Sequence, residues 1–251
     1  MTEPIEQTAS IQSHGKWADI WAQFRHHKGA LFGGVLLILI VAIVMLGPLF
    51  WHLEANTIDI RARNQGASWA HPLGTDQLGR DTFARLIAGG QTSISVGLTA
   101  MILSLFLGSF IGVLAGFYKR LDGLLMRMTD MFLSLPLLPL LLVMMLLFRD
   151  LLSQSFGPER GMFILIVFAI GITSWMPTAR IVRADVLAIK EREFILAARS
   201  VGLGDAALIL RHILPNVFSP IMVSATLGIA NAIITESALS FLGLGFPPDF
   251  P

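Results

Sequence analysis

Five long apolar runs set apart by polar segments dominate the chain. Gly29 to Trp51 carries no charge over 23 residues, more than the roughly 20 that a membrane-spanning helix needs. No charge occurs from Leu86 to Tyr118, and Ser93 to Phe117 is the spanning part of that run. Leu124 to Phe148 is the third span, bent by Pro136 and Pro139. Gly161 to Thr178 is the fourth, and Asn216 to Thr235 the fifth. Pro220 falls in the first turns of that last span, where a missing N–H costs little. Proline bends leave carbonyls in need of partners, so they tend to face protein or a water-filled path. Upstream, Trp17, Ile20, Trp21 and Phe24 recur at i, i+3, i+4 and i+7, on one helical face. Arg25, His26, His27 and Lys28 follow. This pattern predicts an amphipathic helix, lying in the inner interface or packed on a partner. Two adjacent histidines point in different directions on a helix and make a poor metal site.

The polar segments add detail. Asp76 with Arg80, and Asp81 with Arg85, are two i,i+4 acid–base pairs, which predicts a short surface helix. A metal or catalytic role for His71, Asp76 and Asp81 is the lesser alternative. Ser104, Gly108, Gly112 and Gly116 repeat every four residues, a small-residue stripe for close approach of another helix. Asp130 lies one turn from Arg127 near the inner end of the third span and pairs with it, the alternative being a place on a transport path. Arg149 to Arg160 reads as a short outer loop. The longest inner segment runs from Arg180 to Pro215 and is helix-forming from Ala184 to Ser200. It bends at Gly202-Leu-Gly204, with Asp205 as N-cap of a second short helix and Leu214-Pro215 closing it.

Composition narrows the class. Of 251 residues, 54% are hydrophobic and 14% charged, against about 25% charged in an ordinary soluble domain. Mean hydropathy is +0.71. The fold class is therefore all-α, a polytopic membrane helical bundle with five spans. With no cysteine, disulfides and thiolate-ligated clusters are excluded. The sequence contains no Gly-x-x-x-x-Gly-Lys-Ser/Thr phosphate loop and no nucleophile–base constellation in a plausible setting. No enzymatic activity, cofactor, metal or nucleic-acid partner is expected. Sorting Lys and Arg by side fixes the orientation: with the N-terminus inside, twelve fall on cytoplasmic pieces and six outside, as the positive-inside rule requires.

Three phrases resemble one family. Ala197-Ala198, then Gly202, then Leu214-Pro215 resembles the cytoplasmic coupling loop of permease subunits of bacterial ABC importers. His71-Pro-Leu-Gly-Thr-Asp76 with Gly79-Arg-Asp81 and Arg85 resembles a signature of the dipeptide, oligopeptide and nickel branch. Glu236-Ser-Ala-Leu-Ser-Phe-Leu-Gly-Leu-Gly245 resembles the same branch. The chain departs from the pattern at Leu196, where an acidic residue is usual, at His212, where an aliphatic one is common, and at Gln91, in place of an arginine. Glu191 or Glu193 could take over the lost charge contact.

The resemblance implies a permease subunit for di- or oligopeptides in the bacterial inner membrane. Nickel complexes, glutathione or another small solute are the alternatives. It implies a second homologous permease, two ATP-binding subunits and an extracytoplasmic substrate-binding protein as partners, besides membrane lipid. Glu193, Ala197, Ala198, Gly202, Leu214 and Pro215 would couple to the ATPase. The expected organisation is a cytoplasmic tail (1–28), a first span (29–51), an extracytoplasmic loop (52–91) and a permease core (92–251) with its coupling loop at 180–215. The family also implies a sixth span, so truncation after Phe246-Pro-Pro-Asp-Phe-Pro251 is an expectation. Two other classes compete. A secondary transporter would place ionisable residues at mid-membrane, and every span here is charge-free at its centre. A membrane scaffold would need no coupling loop.

Overall fold

The computed structural model describes Trp21 and residues 24–246. Trp17, Ile20 and residues 247–251 lie outside the described residues. The chain divides into two compact units, Met1–His52 and Leu53–Pro251.

In the first unit, helix α1 spans Lys28–Phe50. His27 caps it, its Nδ1 accepting the Ala30 N–H at 3.1 Å. Phe32, Leu37, Ile38, Leu49 and Phe50 are all more than half exposed within the chain. A helix apolar on every side has lipid or protein as its natural surroundings.

The second unit opens with turns rather than the expected short helix. Gly74 and Gly79 have φ of 73° and 76°, a left-handed geometry that interrupts any helix and that glycine alone adopts cheaply. A Cβ on Gly74 would meet the Gln65 carbonyl oxygen at 2.5 Å. Asp76 still pairs with Arg80, Oδ2 accepting from Nε at 2.7 Å. Its Oδ1 also accepts the Leu78 and Arg80 N–H groups at 2.8 and 3.0 Å, so the pair closes a turn. Asp81 departs further from expectation. Instead of bracing a helix through Arg85, it caps one, accepting the Ala84 N–H at 2.6 Å, and its other oxygen holds His71 Nδ1 at 2.8 Å.

Burial works against ionisation of Asp76, but the Arg80 amide and guanidinium and the Leu78 amide outweigh it and hold its carboxyl below the usual aspartate range. The unfolded value is about 3.9. The carboxylate's contribution to loop order is therefore complete at neutral pH and lost as pH falls through the lower, folded value. Asp76→Asn should speed hydrogen exchange at the Leu78 and Arg80 amides several-fold at pH 7. Unchanged exchange at both amides would refute the role given to the carboxylate.

The helices that follow are α2 (Thr82–Phe117), α3 (Lys119–Ser134), α4 (Leu137–Phe156), α5 (Pro158–Thr173), α6 (Trp175–Lys190), α7 (Glu193–Ser200), α8 (Asp205–Leu208) and α9 (Leu214–Phe241). A wide turn at Ile209–Ile213 makes α8 and α9 nearly continuous. Among the described residues there is no strand. Among the described residues, five segments are long and apolar enough to cross a membrane: Lys28–Phe50, Thr82–Phe117, Leu137–Phe156, Pro158–Lys190 and Asp205–Phe241.

The boundaries differ from the expected ones for local reasons. The Asp81 cap starts α2 well before Ser93, so the expected boundary at 91/92 falls inside a helix. The third run is broken rather than bent: Pro136 pushes Leu135 out of helical geometry (φ −75°, ψ 134°) and ends α3 at Ser134. Arg149 belongs to α4, and the loop expected at 149–160 shrinks to a turn at Gly157 with φ 85°. The fourth run breaks at Ser174, and α6 carries helix on to Lys190. Because α9 starts at Leu214, Pro220 sits inside it, where its missing N–H removes a bond to the Asn216 carbonyl.

Helix α2 is the centre of this unit. Toward its C-terminal end, Gly108, Gly112 and Gly116 lie against α6. Ideal Cβ atoms there would meet the Trp175 oxygen at 2.7 Å, the Ala179 oxygen at 2.6 Å and Val186 Cβ at 2.7 Å. Ser104, one turn earlier, is fully buried. Toward the other end, α2 packs on α9, where a Cβ on Gly97 would meet Ile233 at 2.9 Å, and on α5 through Leu103 against Gly171. Leu141, Met145, Met162, Ile166 and Ile170 form the core between α4 and α5. Helix α3 runs back along α6. Asp122 accepts from Arg183 Nη2 at 2.7 Å, and Asp130 pairs with Arg180 rather than with Arg127, one turn away in its own helix.

Candidate functional site: the Arg180–Pro215 protrusion and a groove between broken helices

At the charged end of the second unit, the Arg180–Pro215 segment is a folded protrusion. Helix α6 reaches Lys190, whose Nζ donates to the Gly116 carbonyl at 2.9 Å and so ties α6 to the end of α2. Three residues later α7 begins at Glu193. It ends in a paired-bond glycine cap: Leu203 N–H to the Ala198 carbonyl at 3.2 Å and Gly202 N–H to the Arg199 carbonyl at 3.0 Å. Gly202 takes φ 84°, with nothing within 4 Å of a notional Cβ, so conformation rather than space calls for glycine. The next helix is capped by Gly204, and Asp205 is its first residue, not its cap.

Ile195, Leu208 and Ile213 are fully buried with Val182, Val186 and Val217, which fixes the protrusion to α6 and α9. Its outer side carries Glu193, Ala197 and Gly202, all exposed. Phe194 and Leu196 are each 46% exposed and Val201 is 85% exposed. Ala198 differs from Ala197: it is half-buried against this chain's own cluster, so its small size serves the chain's own packing. Leu214 is half-buried and Pro215 exposed at the start of α9. Glu191, Arg192, Glu193, Phe194 and Asn216 line an open cleft beside the protrusion. Arg199 sits over the Phe117 ring, 5.8 Å from its centroid.

A second feature lies where the helices break. A groove of about 500 Å³ is bordered by the α3–α4 break at Leu133, Leu135 and Leu137, and by the α5–α6 break at Thr173, Ser174 and Met176. From α9 come Ser224, Leu227, Asn231 and Thr235. The prolines pointed to bends, but the meeting of two breaks at one groove was not visible in the sequence, because it depends on antiparallel pairing of distant segments. At the other end, Glu236 is buried between α2 and α9. Its carboxylate takes hydrogen bonds from Ser93 at 3.2 Å and Ser240 at 2.7 Å.

Charge-free helix centres around a partly polar groove, with a rigid charged protrusion at one end, define a polytopic membrane transport subunit. The chain belongs to the family of binding-protein-dependent transport system inner membrane components, which matches residues 104–248. That stretch holds the small-residue stripe, both helix breaks and the protrusion. Residues 15–67 match the N-terminal TM domain of oligopeptide transport permease C. A putative peptide permease protein of Brucella abortus is 39% identical over 237 residues, covering 94% of this chain and 75% of the relative. The oligopeptide transport system permease protein OppC of Bacillus subtilis is 35% identical over 239 residues, covering 95% and 75%. The chain is thus a permease subunit of an ABC importer and a multi-pass inner-membrane protein.

Proposed function

We propose that this subunit imports di- or oligopeptides, forming half of the pathway with a second homologous permease. In this reading an extracytoplasmic binding protein delivers substrate and two ATP-binding subunits dock on the segment from Glu193 to Pro215. The N-terminus is cytoplasmic. The observation that carries the coupling role is the division of labour in the protrusion. Ile195, Leu208 and Ile213 anchor it with no exposure, while its outer side presents apolar side chains to solvent. A rigid element with an exposed apolar patch suits docking to another protein, and ATP-driven closure of the partners would move it as a lever. The relatives named peptide permeases support the substrate class, and the bias of Lys and Arg supports the orientation.

The test is uptake of a labelled tripeptide into vesicles holding the complete transporter, with ATP or an ion gradient alone. Uptake with ATP only, lost when this subunit is omitted, is expected. Uptake driven by the gradient, or indifferent to this chain, would refute the reading. For orientation, a phosphatase fused at Gly157 should be active and one fused at Gly202 inactive, the reverse pattern showing the opposite topology.

A further inference from the structure

The groove between the broken helices is mostly apolar, and the polar groups that interrupt its lining carry no charge. Thr173, Ser174, Thr178, Ser224, Asn231 and Thr235 supply hydroxyls and one amide among leucines and methionines, with no ionisable lining residue among the described residues. Most of these polar groups are already engaged. Thr173 Oγ1 donates back to the Ala169 carbonyl at 2.7 Å. Thr178 and Ser224 share a hydrogen bond of 2.6 Å across α6 and α9. Thr235 Oγ1 donates to the Asn231 backbone carbonyl at 2.8 Å. The Asn231 side-chain amide differs. It is exposed to the groove and has no hydrogen-bond partner among the described residues.

A primary amide offers donors and an acceptor at once, the same pair that a peptide group presents. It can therefore exchange hydrogen bonds with a peptide's N–H and C=O whatever the neighbouring side chain. A charged wall would do the opposite, favouring one sign of substrate and repelling the other. The groove volume falls in the range of small-molecule sites, about 300–1,000 Å³. The Asp130–Arg180 ion pair of the α3–α6 layer is closed on itself and adds no net sign.

We propose that this groove is the surface along which the translocating peptide passes, and that it reads backbone amides, through Asn231 first, rather than side-chain charge. The proposal rests on the peptide-import reading above. It assigns this subunit a role in tolerance of sequence: selection by charge is left to whatever delivers the peptide.

The chain has no cysteine of its own, which permits a test on the folded, assembled complex. N231C is introduced and modified after assembly with a thiol reagent carrying either an ammonium or a sulfonate. Uptake is then compared for tripeptides with one Lys, one Glu or neither. Wild-type complex should import all three at comparable rates. The sulfonate-modified variant should lose the Glu peptide relative to the Lys peptide by about tenfold, since a like charge across a partly wet groove costs on that order. The ammonium-modified variant should show the mirror preference. Because the readout is a ratio between peptides in one preparation, altered protein amounts cancel. N231D and N231K should give the same two preferences without chemistry. Unchanged ratios in all four forms, with wild-type peptide uptake intact, overturn the groove assignment alone. Absence of peptide uptake by wild-type complex overturns the import reading and this inference together.

Discussion

Replacing Gly112 by leucine should destabilise the folded subunit by about 3 kcal/mol or more, at the upper end of what overpacking costs. At this position a Cβ alone would sit 2.6 Å from the Ala179 oxygen and 2.8 Å from Val182 Cβ. The first obstacle is backbone, so no rotamer change can relieve it, and α2 and α6 would have to separate. Val182→Ala should therefore fail to rescue the variant, because it trims a side chain and leaves the carbonyl in place. The control is Ile102→Phe, at a position on α2 that is 68% exposed. It should change the melting temperature in detergent little. Melting of the Gly112→Leu subunit within a degree or two of that control would show that α2 and α6 do not pack as described. Gly108→Leu should behave like Gly112→Leu, since the Trp175 oxygen stands in the same relation to it.

The stripe was legible because its signal is local. Four small residues at a fixed period mark a face, whatever the face meets. The sequence could not name α6 as the neighbour, since Gly112 and Ala179 are far apart in the chain. The same limit explains Asp130. Proximity in sequence favoured Arg127, whereas antiparallel packing of α3 on α6 brings Arg180 to it. The loop before α2 shows a different failure. Asp76 with Arg80 fits both a helix and a turn, and the glycines at 74 and 79 decide for the turn through positive φ. The broken third run was half-read: Pro136 announced a departure from straight helix, but the extended geometry at Leu135 ends the helix outright. Helix α1 sits at the other extreme. An uninterrupted apolar run at helix length admits few alternatives, and its observed ends lie within one residue of those expected. In the Arg180–Pro215 segment, the glycine after α7 foretold the cap. The contrast between exposed Ala197 and half-buried Ala198 needed the fold.

That contrast separates coupling from folding, and it sets the second large effect. Ala197→Asp places a charge on an exposed surface of the subunit, where a substitution ordinarily shifts stability by no more than about 0.5 kcal/mol. If the ATP-binding subunit closes over this surface, the same carboxylate becomes buried without a partner. Such a charge costs about 3–5 kcal/mol, which is more than a hundredfold in the coupled complex. ATP-dependent peptide uptake should fall by that factor while the melting temperature of the isolated subunit stays put. Ile195→Ala is the complementary variant. Ile195 is fully buried in the cluster that anchors the protrusion, so its truncation should cost the subunit about 2–5 kcal/mol, and uptake and stability should fall together. Gly202→Ala lies between them, costing roughly 1–2 kcal/mol for a left-handed residue with a Cβ, because there is space around it but φ is 84°. The decisive comparison is uptake per folded subunit. A large loss for Ala197→Asp alone places the ATPase against this surface. Normal uptake by Ala197→Asp at normal melting temperature would show that the outer side of α7 is not where the ATPase docks.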